Sequence, residues 1–251
     1  MPIPIAVQLY SVRDDCAQDL AKTLAQVARM GYEGVEFAGY HGHSAAAVRK
    51  CLDDHGLRCA GAHTPFDALQ DDKIEETIEF HRIVGCDNLV VPWLPPETRA
   101  TLDACKQTAD KLNAISAKLT PHGMRTGFHA HAGDMAPIDG SKSAWDLLGE
   151  FTVAGFIMQY DTANGMAGGA DPVQPILDWP KRGRTVHLKE WSGENGAKII
   201  GEGMVPWVDV FDACETVAGT EWYIVEHEKY DNMTPLEAVE VCLHNLRAMG
   251  K

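Results

Sequence analysis

In the second half of the chain, residues that bind metals or move protons stand where short apolar runs end. Phe128-His129-Ala130-His131 closes one run and Tyr160-Asp161-Thr162-Ala163-Asn164 the next. His187-Leu188-Lys189-Glu190 and Val225-Glu226-His227-Glu228 close two more. Glu36, His63 and Trp93 hold equivalent places after earlier apolar runs. Imidazole and carboxylate without thiolate suit a borderline or hard divalent ion such as Mn, Co, Zn, Ni or Fe(II). Alternate residues of a strand share a face, so His129 pairs with His131 and Glu226 with Glu228. One member of each pair can hold an ion while the other meets substrate or carries a proton. A single polar residue at a strand end is as readily a loop anchor; recurrence at four successive ends makes the case for a site.

The elements that must position these residues follow a regular rhythm. Strand-like runs at Ile5–Tyr10, Gly34–Phe37, Leu57–His63, Asn88–Pro92, Met124–His129, the run from Phe156, Thr185–Leu188 and Trp222–Glu226 alternate with amphipathic segments. The helices are expected over Asp19–Met30, Ser44–His55, Asp71–Val84, Pro96–Leu119, Ser141–Val153, a run from Asp171-Pro172 to Trp179, Pro206–Val217 and Thr234–Met249. Gly165–Gly169 is read as a flexible turn, and with no Gly-Lys-Ser/Thr after it, it is not a phosphate-binding loop. Strict alternation of eight strands with eight helices predicts a (β/α)8 TIM barrel, whose functional residues gather past the carboxyl ends of the strands. No linker or break in composition divides the chain, so residues 1–251 are expected to form one domain.

Bulk composition narrows the partners. A net charge of −14 argues against nucleic acid and anionic membranes. Seven scattered cysteines, never in a CxxC spacing, argue against a disulfide framework or a structural zinc cluster and for a reducing compartment. With no long apolar run and no export signal, a cytoplasmic protein is expected.

Taken together, Gln8-Leu9-Tyr10-Ser11-Val12-Arg13, Gly31-Tyr32-Glu33-Gly34-Val35-Glu36, Phe128-His129-Ala130-His131, Asp161-Thr162-Ala163-Asn164, Asp171-Pro172-Val173, His187-Leu188-Lys189-Glu190, Gly201-Glu202-Gly203 and Val225-Glu226 span most of the sequence. On them the chain resembles the sugar phosphate isomerase/epimerase superfamily, the xylose isomerase-like barrels that include inosose dehydratases, ketose 3-epimerases and endonuclease IV. The resemblance implies one divalent metal ion, Mn, Co or Zn foremost, held by His129, Asp161, His187 and Glu226. The strand-five ligand is usually Glu in the epimerases; a histidine pair there is typical of the inosose dehydratase and 3-keto-sugar branch. The second glutamate of ketose 3-epimerases is replaced by Met135, and the extra zinc-binding histidine of endonuclease IV by Asn164.

The resemblance implies a sugar isomerase or epimerase working through an enediolate on a ketose or keto-sugar. A hydro-lyase acting on an inosose or 3-keto-sugar is the alternative, and a non-catalytic sugar-binding barrel the reading from another class. His131 is the candidate base, with the reverse assignment, His131 as ligand and His129 beside it, left open. Lys189 is placed to hold a substrate oxygen or the enolate, or else to pair with Glu190 or Glu36. Glu226 is expected both to bind metal and to take part in catalysis. Glu36, His63, Trp93 and Glu228 are candidate substrate contacts, with Trp191 a further apolar face; for Glu36 the other reading is a pair with a cation such as Arg13. No basic cluster marks a phosphate site, which favours an unphosphorylated sugar or polyol as the small-molecule partner. Homo-oligomerisation is left open.

Overall fold

The computed structural model describes residues 2–138, 140, 142–193 and 198–251. Eight short strands carry the architecture: β1 (Ile5–Gln8), β2 (Gly34–Phe37), β3 (Arg58–His63), β4 (Asn88–Val91), β5 (Arg125–His129), β6 (Ile157–Gln159), β7 (Thr185–Leu188) and β8 (Trp222–Val225). They pair in the order β6-β5-β4-β3-β2-β1-β8-β7, every ladder parallel. The ring closes between β6 and β7, where among the described residues a single bridge, Asp161 with His187, completes the barrel. Backbone bonds from His187 N to Tyr160 O (2.8 Å) and from Met158 N to Arg182 O (2.8 Å) flank it. The result is the expected (β/α)8 TIM barrel.

The helices are α1 (Arg13–Met30), α2 (Ala45–His55), α3 (Ile74–Val84), α4 (Leu102–Leu119), α5 (Ala144–Phe151), α6 (Thr162–Ala167), α7 (Gln174–Leu177), α8 (Trp207–Ala213) and α9 (Pro235–Ala248). Local chemistry fixes their ends. Ser143 with Asp146, and Thr234 with Glu237, form reciprocal capping boxes that satisfy otherwise orphaned amides of α5 and α9. Gly31, Gly56 and Gly85 end α1, α2 and α3 in the left-handed conformation that glycine adopts without steric cost. Among the described residues no helix is long and apolar enough to cross a membrane.

Period-two alternation divides each strand between two environments. Outward residues such as Val7, Val35, Phe37, Leu89, Phe128, Val186 and Tyr223 join Leu24, Leu52 and Leu112 of the helices in one continuous core. Inside the barrel a separate apolar group, Ala6, Ala60, Trp222 and Ile224, plugs the amino-terminal half. Gly34 makes room for it, since a Cβ there would lie 2.8 Å from the Trp222 ring. Two residues further along the same inward faces the chain turns polar, from Ala6 to Gln8, Gly34 to Glu36 and Ile224 to Glu226, while on β7 Thr185 is already polar below His187. The barrel interior is thus apolar below and hydrogen-bonding above.

Several boundaries differ from the sequence expectation. β1 stops at Gln8 because the Gln8 side chain accepts from Tyr10 N and opens a 3-10 turn, and α1 starts at Arg13, kinked at Asp19. Pro96–Arg99 is a separate 3-10 turn, and α4 begins after the Thr101 cap. α5 is shorter than Ser141–Val153, and Ser141 lies outside the described residues. The supposed flexible turn at Gly165–Gly169 is instead mostly α6, capped by Asp161. Gly165 serves close approach there: a Cβ would sit 1.9 Å from Tyr160 Oη. The helix expected from Asp171 to Trp179 is the single turn α7, preceded by Asp171 Oδ1 accepting from Val173 N and Gln174 N.

Candidate active site

Because all eight strands run the same way, His129, Asp161, His187 and Glu226 arrive on one face of the barrel. One ligand-type atom from each lies within 4.8 Å of the others, and all four residues are buried. Asp161 follows β6 as the N-cap of α6, its Oδ1 accepting from Asn164 N at 2.7 Å. Its Oδ2 is buried without a hydrogen-bond partner among the described residues. A carboxylate oxygen stranded in this way is costly unless a cation meets it. His187 lies between two carboxylates, Nδ1 2.6 Å from Glu226 Oε2 and Nε2 2.6 Å from Glu36 Oε2. Burial alone would pull its pKa down, but Glu36 and Glu226 outweigh that and push it up to about 10. Two imidazoles and two carboxylates around one orphaned oxygen form a donor set that fits a divalent ion.

A second group, His63, His129 and His187, is equally compact. The nitrogens that face one another in it, however, already meet Gln159 and Glu36. His63 Nε2 lies 2.9 Å from Gln159 Oε1 and 3.3 Å from Glu36 Oε2, and His129 Nδ1 lies 3.1 Å from Gln159 Oε1. The outer group, with the unpartnered Asp161 oxygen, is therefore the candidate metal centre.

The surrounding charges are tightly held. Lys189 Nζ reaches Glu226 Oε1 at 3.3 Å and contacts Glu228 Oε2. Burial lowers its pKa, but Glu226, Asp161 and Glu228 more than compensate, so the ammonium stays charged. Asp161 is pushed up to about 6, mainly by burial against the pull of Lys189. Glu226, by contrast, is held well below the carboxylate range: burial raises it, and Lys189 and His187 overcome that. His131 stands at the rim, its side chain 39% exposed and its ring edge-on to His129 at 5.0 Å between centroids. Asp134 Oδ2 accepts from His131 N at 2.8 Å, and Arg99 in turn holds Asp134. Burial depresses the His131 pKa despite Asp134, leaving a neutral imidazole at the mouth. A cavity of about 250 Å³ opens over this group, walled by Tyr10, Trp93, His63, Asn164 and Glu228. A neighbouring cavity of about 190 Å³ reaches Lys189 and Trp191. A cavity near 150 Å³ accepts a benzene ring, so the larger one has room for a single sugar ring.

Not every expected role matches its residue's position. Glu36 is fully buried beneath the cavity, engaged by Gln8, Gln159 and His187, and not in a position to touch substrate. Nor does it pair with Arg13, which bonds Tyr10 O and Tyr230 Oη. Lys189 pairs with neither Glu190 nor Glu36. Glu190 is buried and accepts from Trp191 N, Gly201 N, Val205 N and Trp207 Nε1, anchoring the chain between β7 and α8. Sequence reasoning passed over Gln8, Gln159 and Thr185. A glutamine at an inward position of an otherwise apolar strand was the signal available.

A family model described as Xylose isomerase-like TIM barrel matches residues 24–248. An inosose dehydratase from Geobacillus kaustophilus is 23% identical over 256 residues, covering 86% of this chain and 82% of that protein. The rhizopine catabolism protein MocC of Rhizobium meliloti is 21% identical, covering 100% of this chain and 89% of that protein. A sugar phosphate isomerase/epimerase structure from Parabacteroides distasonis superposes with a TM-score of 0.83 at 24% identity, over 98% of each chain. With parallel strands, a polar upper interior and a family match over most of its length, the chain belongs to the xylose isomerase-like TIM-barrel family.

Proposed function

We propose that the protein is a divalent-metal-dependent enzyme that removes a proton next to the carbonyl of an unphosphorylated keto-sugar and returns it as a sugar isomerase or epimerase. The observation that carries this is the buried His129, Asp161, His187 and Glu226 cluster with its unpartnered Asp161 oxygen. An ion bound there, Mn, Co or Zn, would supply a Lewis acid for a carbonyl and its neighbouring hydroxyl.

The chain's own residues account for the rest of the chemistry. His131, neutral and at the mouth, takes the α-proton; a base must come within hydrogen-bond reach of it. Lys189, charged between Glu226 and Glu228, stabilises the negative oxygen of the enediolate. Glu228 and His63 line the cavity as hydroxyl contacts, and Trp93, 54% exposed, offers a flat apolar face to the ring. Lys189 is committed to carboxylates, which fits a neutral sugar better than a phosphate.

One observation favours dehydration as a second reading. Inverting a carbon requires a proton-transfer group on each face, and the position that would carry a second glutamate is the buried Met135. A single base followed by loss of the β-hydroxyl would need no such partner, and one curated relative is an inosose dehydratase. Incubation in D2O with Mn-loaded protein and a panel of ketoses, inososes and 3-keto-glucosides separates the outcomes. Deuterium beside the carbonyl, abolished by chelation, supports the proposal; a dehydrated product selects the second reading. No exchange with any of the panel while metal is bound favours the sugar-binding barrel.

A further inference from the structure

We infer that Glu36 is a positioning residue that sets which nitrogen each metal-binding histidine offers, directly for His187 and through Gln159 for His129. This rests on the proposed metal centre and goes beyond it, because it assigns the tautomers. A carboxylate can only accept hydrogen bonds when ionised. Glu36 Oε1 lies 2.8 Å from one end of the Gln159 amide, so that end is the NH2, and Thr185 Oγ1 takes its second proton at 2.8 Å. The other end is then the carbonyl, which faces His63 Nε2 at 2.9 Å and His129 Nδ1 at 3.1 Å and can only accept from both. His129 must therefore carry its proton on Nδ1, which leaves Nε2 bare. Across from Nε2, at 3.5 Å, lies the Asn164 amide nitrogen, oriented by its bond to Ala130 O. Glu36 Oε2 meanwhile receives Nε2–H of His187, while Nδ1 donates to Glu226 Oε2 in the metal-free protein, so Nδ1 is the nitrogen whose proton an ion would displace.

The carboxylate is itself held from two sides. Gln8 Nε2 donates to Oε2 at 2.6 Å, its own orientation fixed by the Tyr10 amide on Oε1. Gly61 leaves the space: a Cβ there would lie 2.8 Å from Glu36 Oε1. One buried anion thereby turns two histidines in opposite senses, Nε2 outward for His129 and Nδ1 outward for His187. The arrangement also makes His129, rather than His131, the strand-five ligand.

The test uses 15N-histidine protein, metal-free and saturated with Zn2+, with long-range 1H–15N correlations to locate each ring proton. Metal-free wild type should show His129 protonated on Nδ1. Zn2+ should shift His129 Nε2 and His187 Nδ1, with His187 keeping its proton on Nε2. Glu36→Gln and Gly61→Ala should each weaken Zn2+ binding, measured against a chelator, by about 10- to 100-fold. Gln159→Met should disturb the His129 signals while leaving His187 as in wild type. Finding His129 protonated on Nε2 in metal-free wild type overturns the inference even if no variant folds. Folded Glu36→Gln with wild-type Zn2+ affinity and unchanged ring signals overturns it as well. If Zn2+ shifts neither histidine, the metal-centre reading fails, and the metal-free spectrum still decides whether Glu36 and Gln159 set the His129 tautomer.

Discussion

The two oxygens of Asp161 stand differently, and a substitution can separate them. Oδ1 caps α6 through Asn164 N, while Oδ2 has no partner among the described residues. Asparagine caps a helix about as well as aspartate, so Asp161→Asn should keep α6 and lose the ion. We expect divalent-metal affinity to fall by at least about 100-fold with little change in the metal-free melting temperature. Asp161→Ala should cost about 1 kcal/mol more stability in the metal-free state, from the lost cap. Equal metal content in wild type and Asp161→Asn, measured after dialysis, would remove the centre from its place. His131→Ala should bind metal normally and reduce α-proton exchange by about 10²- to 10⁴-fold. The candidate ligands were legible in sequence because four successive apolar runs end in such residues, a recurrence that loop anchoring alone does not explain. Glu36 was read as a candidate substrate contact, and its burial was not legible, since its contacts with Gln8, Gln159 and His187 join strands distant in the chain. The hydrogen-bond chain through Gln159 left no local mark beyond an inward glutamine in an otherwise apolar strand.

At the scale of elements, hydrophobic alternation and glycine stops located the strands and most helices, while short local bonds moved the boundaries. The instructive departure is α6. Its Gly-rich sequence resembles a turn, but Gly165 is there because Tyr160 Oη lies against the helix. Gly165→Ala, a gain in helix propensity on paper, should therefore destabilise the protein by about 1–3 kcal/mol in urea unfolding, since the ring must move. In α3, His81 is buried with its Nδ1 2.7 Å from Thr77 O, against the rings of Tyr40 and Phe80. Burial depresses its pKa despite that carbonyl. The folded state thus prefers the neutral ring, a stabilisation that is present above the unfolded value of about 6.5 and lost as pH falls through the lower folded one. His81→Leu should flatten stability against pH across that window; an unchanged slope would assign the acid sensitivity elsewhere.

For the whole molecule, the apolar plug and the polar layer above it divide the labour of the barrel. Trp222→Ala should cost about 3–5 kcal/mol by opening a void among Ala6, Ala60 and Ile224. Metal removal acts at the other end. An ion that binds only the folded state at about 100 times its Kd adds about 2.7 kcal/mol, so chelation should lower the melting temperature of wild type but not of Asp161→Asn.

The same two residues that would share an ion, Asp161 and His187, also form the bridge that joins the ends of the sheet. A ring of strands with one weak joint behaves like a clasp, and an ion across the joint would fasten it. Amide hydrogens of Met158 and His187, whose bonds cross that joint, should therefore exchange with solvent faster in chelated protein than those of the β3–β4 ladder, and slow selectively when metal is returned. Loss of cofactor would then leave a barrel that is partly unlatched along one side as well as inactive.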